Sequence, residues 1–201
     1  MSVRNLIMLA RLSELFGAQR APTGYRPGAT LERVRRNLGQ TSFQFLAPVR
    51  ARFQFSPEGP LIEVHERAEA QLLMHVVLTE FRFHTPASPW SEGCYQVHHT
   101  GAIRRTGLVC RRRKGPQDFA DRLTLELSAN PVLREALMPL DFKTLTLECN
   151  GGGWNVALEH MGGSEVVNRM PAFRRYISLS IEQTRLLQQS ILALYQVLRT
   201  L

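Results

Sequence analysis

Over residues 43–109, and again over 142–160, polar and apolar residues alternate with a period of two. A chain that alternates over so much of its length is committed to strands that bury one face. Arg52, Gln54 and Ser56 alternate with Phe53 and Phe55, and Pro57, Glu58, Gly59 and Pro60 form a turn. Residues 61–66 then return as a partner strand. Residues 71–84 carry Leu and Met that suit a helix, but Val76, Val77, Thr79, Phe81 and Phe83 favour a long strand ended by Pro86 and Pro89. Residues 95–100 and 106–112 read as two more strands around a turn at Gly101. Arg122, Thr124 and Glu126 alternate with Leu123, Leu125 and Leu127, which reads as a half-buried strand. Residues 142–149 and 154–160, joined at Asn150, Gly151, Gly152 and Gly153, form the clearest hairpin.

Helical signals flank this material. Residues 2–16 read as a helix with Ser2 as N-cap, Gly17 as stop and a surface apolar almost all round. Residues 19–29 hold Pro22, Gly24, Pro27 and Gly28 and make a connector. Thr30 is placed to cap a helix over 31–38, with Glu32 in its first turn and Gly39 at its end. Asn130 and Pro131 open a short helix that ends by Pro139. Ser180 and Gln183 make a capping box before a helix whose Leu187, Ile191, Leu194, Leu198 and Leu201 share one face. The expected fold is α+β: a largely antiparallel β-sheet covered by N- and C-terminal helices, not a doubly wound nucleotide fold. With 201 residues, 44% of them hydrophobic, a single domain over 1–201 is expected. It comprises a helical N-terminal segment (1–40), a strand-rich core (41–160) with a short helix near 131–138, and a C-terminal helix (178–201).

The net charge is +8, from 25 basic and 17 acidic residues. Only Lys114 and Lys143 are lysines, so nearly every cation is a guanidinium, the group suited to paired hydrogen bonds with phosphate or carboxylate. Cys94, Cys110 and Cys149 are odd in number and widely spaced, which argues against a disulfide framework and for a reducing compartment. The apolar run at residues 6–10 is broken by Arg11 and Glu14 and is too short for a signal peptide. No run approaches the ~18–20 apolar residues of a membrane span. The expectation is a cytoplasmic protein.

Few constellations could carry chemistry. The Asn150 to Gly153 run lacks the Lys and Ser/Thr of a phosphate-binding loop and reads as a turn. Cys94, His98 and His99 are metal-ligand types, but His98 and His99 point to opposite strand faces, and Cys94 and His98 lie ~13 Å apart along an extended strand. No metal site and no cofactor are expected. Glu63 and His65 share a strand face and make the one acid–base candidate, with Glu66 and Arg67 beside them. Such alternation is equally what a solvated strand face looks like, and no nucleophile motif accompanies it. The densest feature is basic: Arg104, Arg105, Arg111, Arg112, Arg113 and Lys114 fall on and around one predicted strand pair. A hairpin would gather these six cations at one end of the sheet, as a solvated edge that discourages strand aggregation or as an anion-binding site. No aromatic residue interleaves with them, so an anionic protein or membrane surface fits better than nucleic acid. The terminal helices carry surplus apolar surface that packing on the sheet, or a homo-oligomer, would cover. The leading functional expectation is a non-enzymatic binding or accessory protein. The alternative is a small enzyme using Glu63 and His65.

Three segments carry a family resemblance: Pro89 with Trp90, NPVLREALMPLDF over residues 130–142, and RMPAFRRYISL over 169–179. On these, residues 81–201 resemble an uncharacterised proteobacterial family, domain of unknown function 3156. The resemblance implies a shared fold and assigns no functional residue.

Overall fold

A computed structural model describes residues 25–70, 74–86, 92–101, 104–169 and 172–201. The expected helix over 2–16 lies outside the described residues. The N-terminal half contains α1 (Ala29–Leu38), β1 (Gln44–Ala47), β2 (Arg50–Phe53), β3 (Ile62–Ala70), β4 (Met74–Thr85), β5 (Gly93–Thr100) and β6 (Gly107–Lys114). Then follow α2 (Gln117–Ala129), α3 (Pro131–Leu137), β7 (Phe142–Asn150), β8 (Gly153–Arg169), β9 (Ala172–Ile177) and α4 (Ile181–Thr200). The nine strands form one sheet in the order β1-β2-β3-β4-β8-β7-β5-β6, with β9 also on β8. Every pairing described is antiparallel. The expected α+β layout is therefore the observed one.

One face of the sheet is apolar and carries the helices. Phe53, Val64, Phe81, Leu158, Leu147, Tyr95 and Cys110, taken from successive strands across the sheet, are all buried in one core with Leu123 of α2, Leu133 of α3 and Leu194 of α4. The anticipated face of α4 is in this core, with Leu187, Ile191, Leu198 and Leu201 buried. Ser180 caps α4 by accepting from the Gln183 amide at 3.1 Å. The Gln183 side chain does not return the bond. It accepts from the Asp141 amide, donates to the Pro139 carbonyl and meets His160, which ties α4 to the turn before β7.

Two local assignments beside the sheet need correction. Residues 122–127 lie within the helix α2, not on a strand. Ala120, Leu123 and Leu127 are buried at helical spacing while Leu125 is 71% exposed, which an alternating strand would have buried. Thr124 uses the helix to close a sheet edge: its hydroxyl bonds to the Ala120 carbonyl and accepts the Cys110 amide of β6, each at 2.9 Å. Thr30 is likewise not the cap of α1. Gly28 takes that position with φ +85°, where an L side chain would also meet the Pro48 carbonyl. The cap itself comes from β3. The Glu66 carboxylate, buried on the helix-bearing face, accepts from the Gly28 and Leu31 amides at 3.1 and 2.9 Å and from the Tyr25 hydroxyl at 2.6 Å. Glu165 of β8 pins the next turn through Arg33 and is held in turn by Arg174 of β9.

The hairpin of β7 and β8 is as expected, but β8 runs on to Arg169 instead of ending near His160. At Met161–Ser164 its register against β4 jumps: Val77 pairs with Glu165 and Thr79 with His160. Gly163 (φ +82°) sits at this bulge against Thr79 and Val34, where a Cβ would have no room. Beyond it, the second half of β8 pairs with β4 on one side and with β9 on the other.

Candidate functional site

The face of the sheet opposite the helices is polar. Reading straight across the strands, Arg52, Glu63, Arg82, Ala157, Thr146, Gln96 and Arg111 form one continuous rung. A second rung runs Arg50, His65, Glu80, Glu159 and Thr144. The small residues Ala157 and Thr146 sit mid-sheet, and over them lies a groove of ≈ 800 Å³ whose polar lining includes Glu63, Glu80, Arg82, His84, Glu148 and Asn155.

The ion pairs on this face gather around the two carboxylates of its second rung. Glu80 and Glu159 lie opposite one another on β4 and β8, with side chains only 7% exposed. Side-by-side carboxylates repel, and cations resolve the conflict. Arg82 holds Glu80 through Nε at 3.0 Å and Nη2 at 2.6 Å, Arg67 reaches Glu159 at 3.2 Å, and Thr144 donates to Glu159 at 3.0 Å. The sequence candidates Glu63 and His65 do meet, with Oε2 and Nε2 3.1 Å apart, and Glu80 lies across from His65. Glu63 lines the groove. Sequence reading missed Glu80, Arg82 and Glu159, although the alternation of Glu80, Arg82 and His84 with Phe81 and Phe83 marks them as one polar face.

The basic cluster divides. Arg105 is spent on the fold, bonding the Met138 and Leu140 carbonyls and the Asp141 carboxylate. It sits with Arg104 at the turn end of the β5–β6 hairpin, while Arg111, Arg112, Arg113 and Lys114 lie at the far end of β6, all exposed. The register there is irregular: Tyr95 pairs with Arg112 and Cys94 with Lys114, so Arg113 is an extra residue, a β-bulge. A regular strand would send alternate residues to opposite faces. The bulge instead puts Arg111, Arg113 and Lys114 on the groove side, across from Gln96 and Cys94. Gln96 accepts from Arg113 Nε at 2.8 Å and leaves its two terminal nitrogens unengaged among the described residues. Arg112 turns to the Gly115 carbonyl. Among the described residues, these four cations make no ion pair.

The metal-ligand types stay apart. His99 bonds the Leu137 carbonyl at 2.9 Å and packs on Phe142. His98 lies on the open face, where burial, followed by Arg111 and Arg113, depresses its pKa and favours the neutral ring. Among the described residues no group of three or more His, Cys, Asp or Glu is placed to hold a metal, and no helix is long and apolar enough to cross a membrane. All three cysteines are free thiols. Burial pushes Cys110 up to about 12 and raises Cys94 and Cys149, the nearby Glu148 adding to the rise at Cys94. A maleimide or iodoacetamide probe should therefore label Cys94, the least buried, first in the native protein, and all three in denaturant. Mass spectrometry showing Cys110 labelled as fast as Cys94 would contradict this packing.

Fold and open face together define a protein in which helices cover one side of an antiparallel sheet and a grooved, charged surface forms the other. The chain belongs to the family described as Protein of unknown function (DUF3156), which matches residues 36–198. That match extends the likeness seen over 81–201 back into α1. No curated protein and no solved structure matches the chain.

Proposed function

We propose that this chain is a binding protein that recognises an anionic partner through the bulged, cationic end of β6. The observation that carries the reading is the bulge at Arg113, which adds Lys114 to the face that already carries Arg111 and Arg113, two strands from the groove residues Thr146 and Glu148 of β7. A solvated edge has no need of that convergence. The three free thiols support a reducing, cytoplasmic setting. The enzymatic alternative draws on the contact between Glu63 and His65 beside the groove. It is the weaker reading because Arg82 and Arg67 already hold Glu80 and Glu159.

The test compares two triple variants at one ionic strength. Replacing Arg111, Arg113 and Lys114 with Gln should weaken binding to heparin or an acidic polypeptide and leave the melting temperature unchanged, because these exposed cations make no ion pair. Replacing the exposed Arg26, Arg134 and Arg175 should weaken it much less. Binding should fall with salt as the Debye length drops from ~10 Å at 0.1 M to ~3 Å at 1 M. Equal losses in the two variants would reduce the effect to net charge and overturn the reading.

A further inference from the structure

The proposed anion site and the groove share one face, and together they narrow the ligand. We infer that the open face takes a small zwitterionic phosphate monoester, its phosphate on Arg111, Arg113 and Lys114 and its ammonium-bearing body in the groove. The inference rests on the reading above and goes beyond it by naming a small ligand that fits this face better than polymers and flat surfaces do.

Three features carry it. The first is the geometry of the cations. Gln96 takes Arg113 by its Nε, so the remaining fork of two nitrogens is oriented for the paired bonds a phosphate accepts. Arg111, directly across from Gln96, and Lys114, across from Cys94, stand on either side of it.

The second is distance. Adjacent strands lie ~4.8 Å apart, so Thr146 is ~10 Å from Arg111 along the rung and Arg82 is ~19 Å away. A phosphate held over β5 and β6 places the ammonium of a short phosphate monoester over Thr146 and Glu148 of β7, the near edge of the groove. At ≈ 800 Å³ the groove falls within the ~300–1,000 Å³ typical of small-molecule sites.

The third is the sign of the groove. Glu63 and Glu148 line it, and among the described residues neither is paired with an arginine or lysine. A polyanion or an anionic bilayer laid across this face would bring its negative charge onto these carboxylates, at a cost in electrostatic complementarity. A ligand with phosphate at one end and ammonium at the other meets β6 and Glu148 with the correct sign at each. Its body also finds the Thr146 hydroxyl and the Asn155 amide, and no apolar or aromatic platform is required.

The experiment is a calorimetric and NMR titration of the full chain with inorganic phosphate, ethanolamine, O-phosphoethanolamine, heparin and phosphatidylglycerol vesicles. O-phosphoethanolamine should bind about tenfold or more tighter than inorganic phosphate or ethanolamine, and it should shift the amide signals of Gln96, Thr146 and Glu148 in the unmodified protein. Replacing Arg111, Arg113 and Lys114 with Gln should weaken both phosphate and O-phosphoethanolamine by about tenfold or more. Replacing Glu148, across from Cys94 on β7, with Gln should abolish the preference for O-phosphoethanolamine while phosphate binding persists. Equal affinity for phosphate and O-phosphoethanolamine would overturn the inference. So would heparin or vesicle binding that depends on the β6 cations without any small-phosphate binding, an outcome that leaves the broader anionic-partner reading standing. Binding of every probe indifferent to the β6 cations would overturn both.

Discussion

Replacing Leu194 with alanine is expected to destabilise the fold by about 2–5 kcal/mol, the range for large-to-small changes in a packed core. Leu194 is 0% exposed and sits in the C-terminal half of α4, flanked on the same helical face by the equally buried Leu187, Ile191 and Leu198. The loss has two parts: the transfer free energy of the removed methyl and methylene groups, and the cavity left between α4 and its neighbours. Relaxation is restricted because Gln183 ties the start of α4 to Pro139, Asp141 and His160. The measurement is the urea midpoint at constant m-value. A change under ~0.5 kcal/mol, the scale of surface substitutions, would mean that this face of α4 is not packed in the chain's own core.

The second large effect is expected at a charged residue. Glu66→Ala should cost about 3 kcal/mol, since each buried donor left without an acceptor costs about 1–3 kcal/mol and water can reach only some of them. The orphaned groups are the Gly28 and Leu31 amides and the Tyr25 hydroxyl. Glu66, which accepts these bonds, is only 5% exposed. Glu66→Gln keeps an acceptor oxygen and should cost less. Hydrogen exchange should also accelerate at Leu31 in the alanine variant, because the first turn of α1 loses the group that fixes it. If Glu66→Ala cost no more than Glu58→Ala, an exposed comparison, the cap would be ornamental to the fold.

Much of the sheet was legible in the sequence because alternation is local. Phe53 and Phe55 against Arg52 and Gln54, or the glycine turn between β7 and β8, need no knowledge of the remaining chain. Even there the detail differs: the positive φ falls on Gly153, after the two turn glycines. The errors have a physical pattern. Leu123, Leu125 and Leu127 satisfy a period of two, yet Leu123 and Leu127 also satisfy a helical spacing of four, and only burial decides between them. Residues 154–160 read as the whole return strand, whereas β8 continues to Arg169 through the bulge at Gly163, and no strand was read over β9. The cap on α1 escaped because Glu66 is 35 positions from Leu31. The candidate site was visible only as ingredients. Arg111, Arg113, Lys114, Glu63 and His65 could be named, but the bulge is a property of the pairing between β5 and β6, and the groove exists because Ala157 and Thr146 become neighbours of Arg82 and Gln96 across four strands. No periodicity encodes that register.

The position of β8 has a consequence for how the chain acquires this structure. β8 is the only described link between the β1–β4 meander and the β5–β7 portion of the sheet, and it bonds β4 across large sequence distances: Thr79 reaches Gly163, 84 positions away. The meander forms from neighbours in sequence, and so does the β7–β8 hairpin, but joining them requires closure of a loop containing β5, β6, α2 and α3. Closure entropy must be lost before that pairing returns any contact energy, which places the chain among slow, high-contact-order folders that take milliseconds to seconds. Until β8 docks, β4 presents a bare edge bearing Val77, Phe81 and Phe83. The newly made protein therefore passes through a state more prone to self-association than the native one, and its refolding yield should depend on concentration even where its equilibrium stability does not.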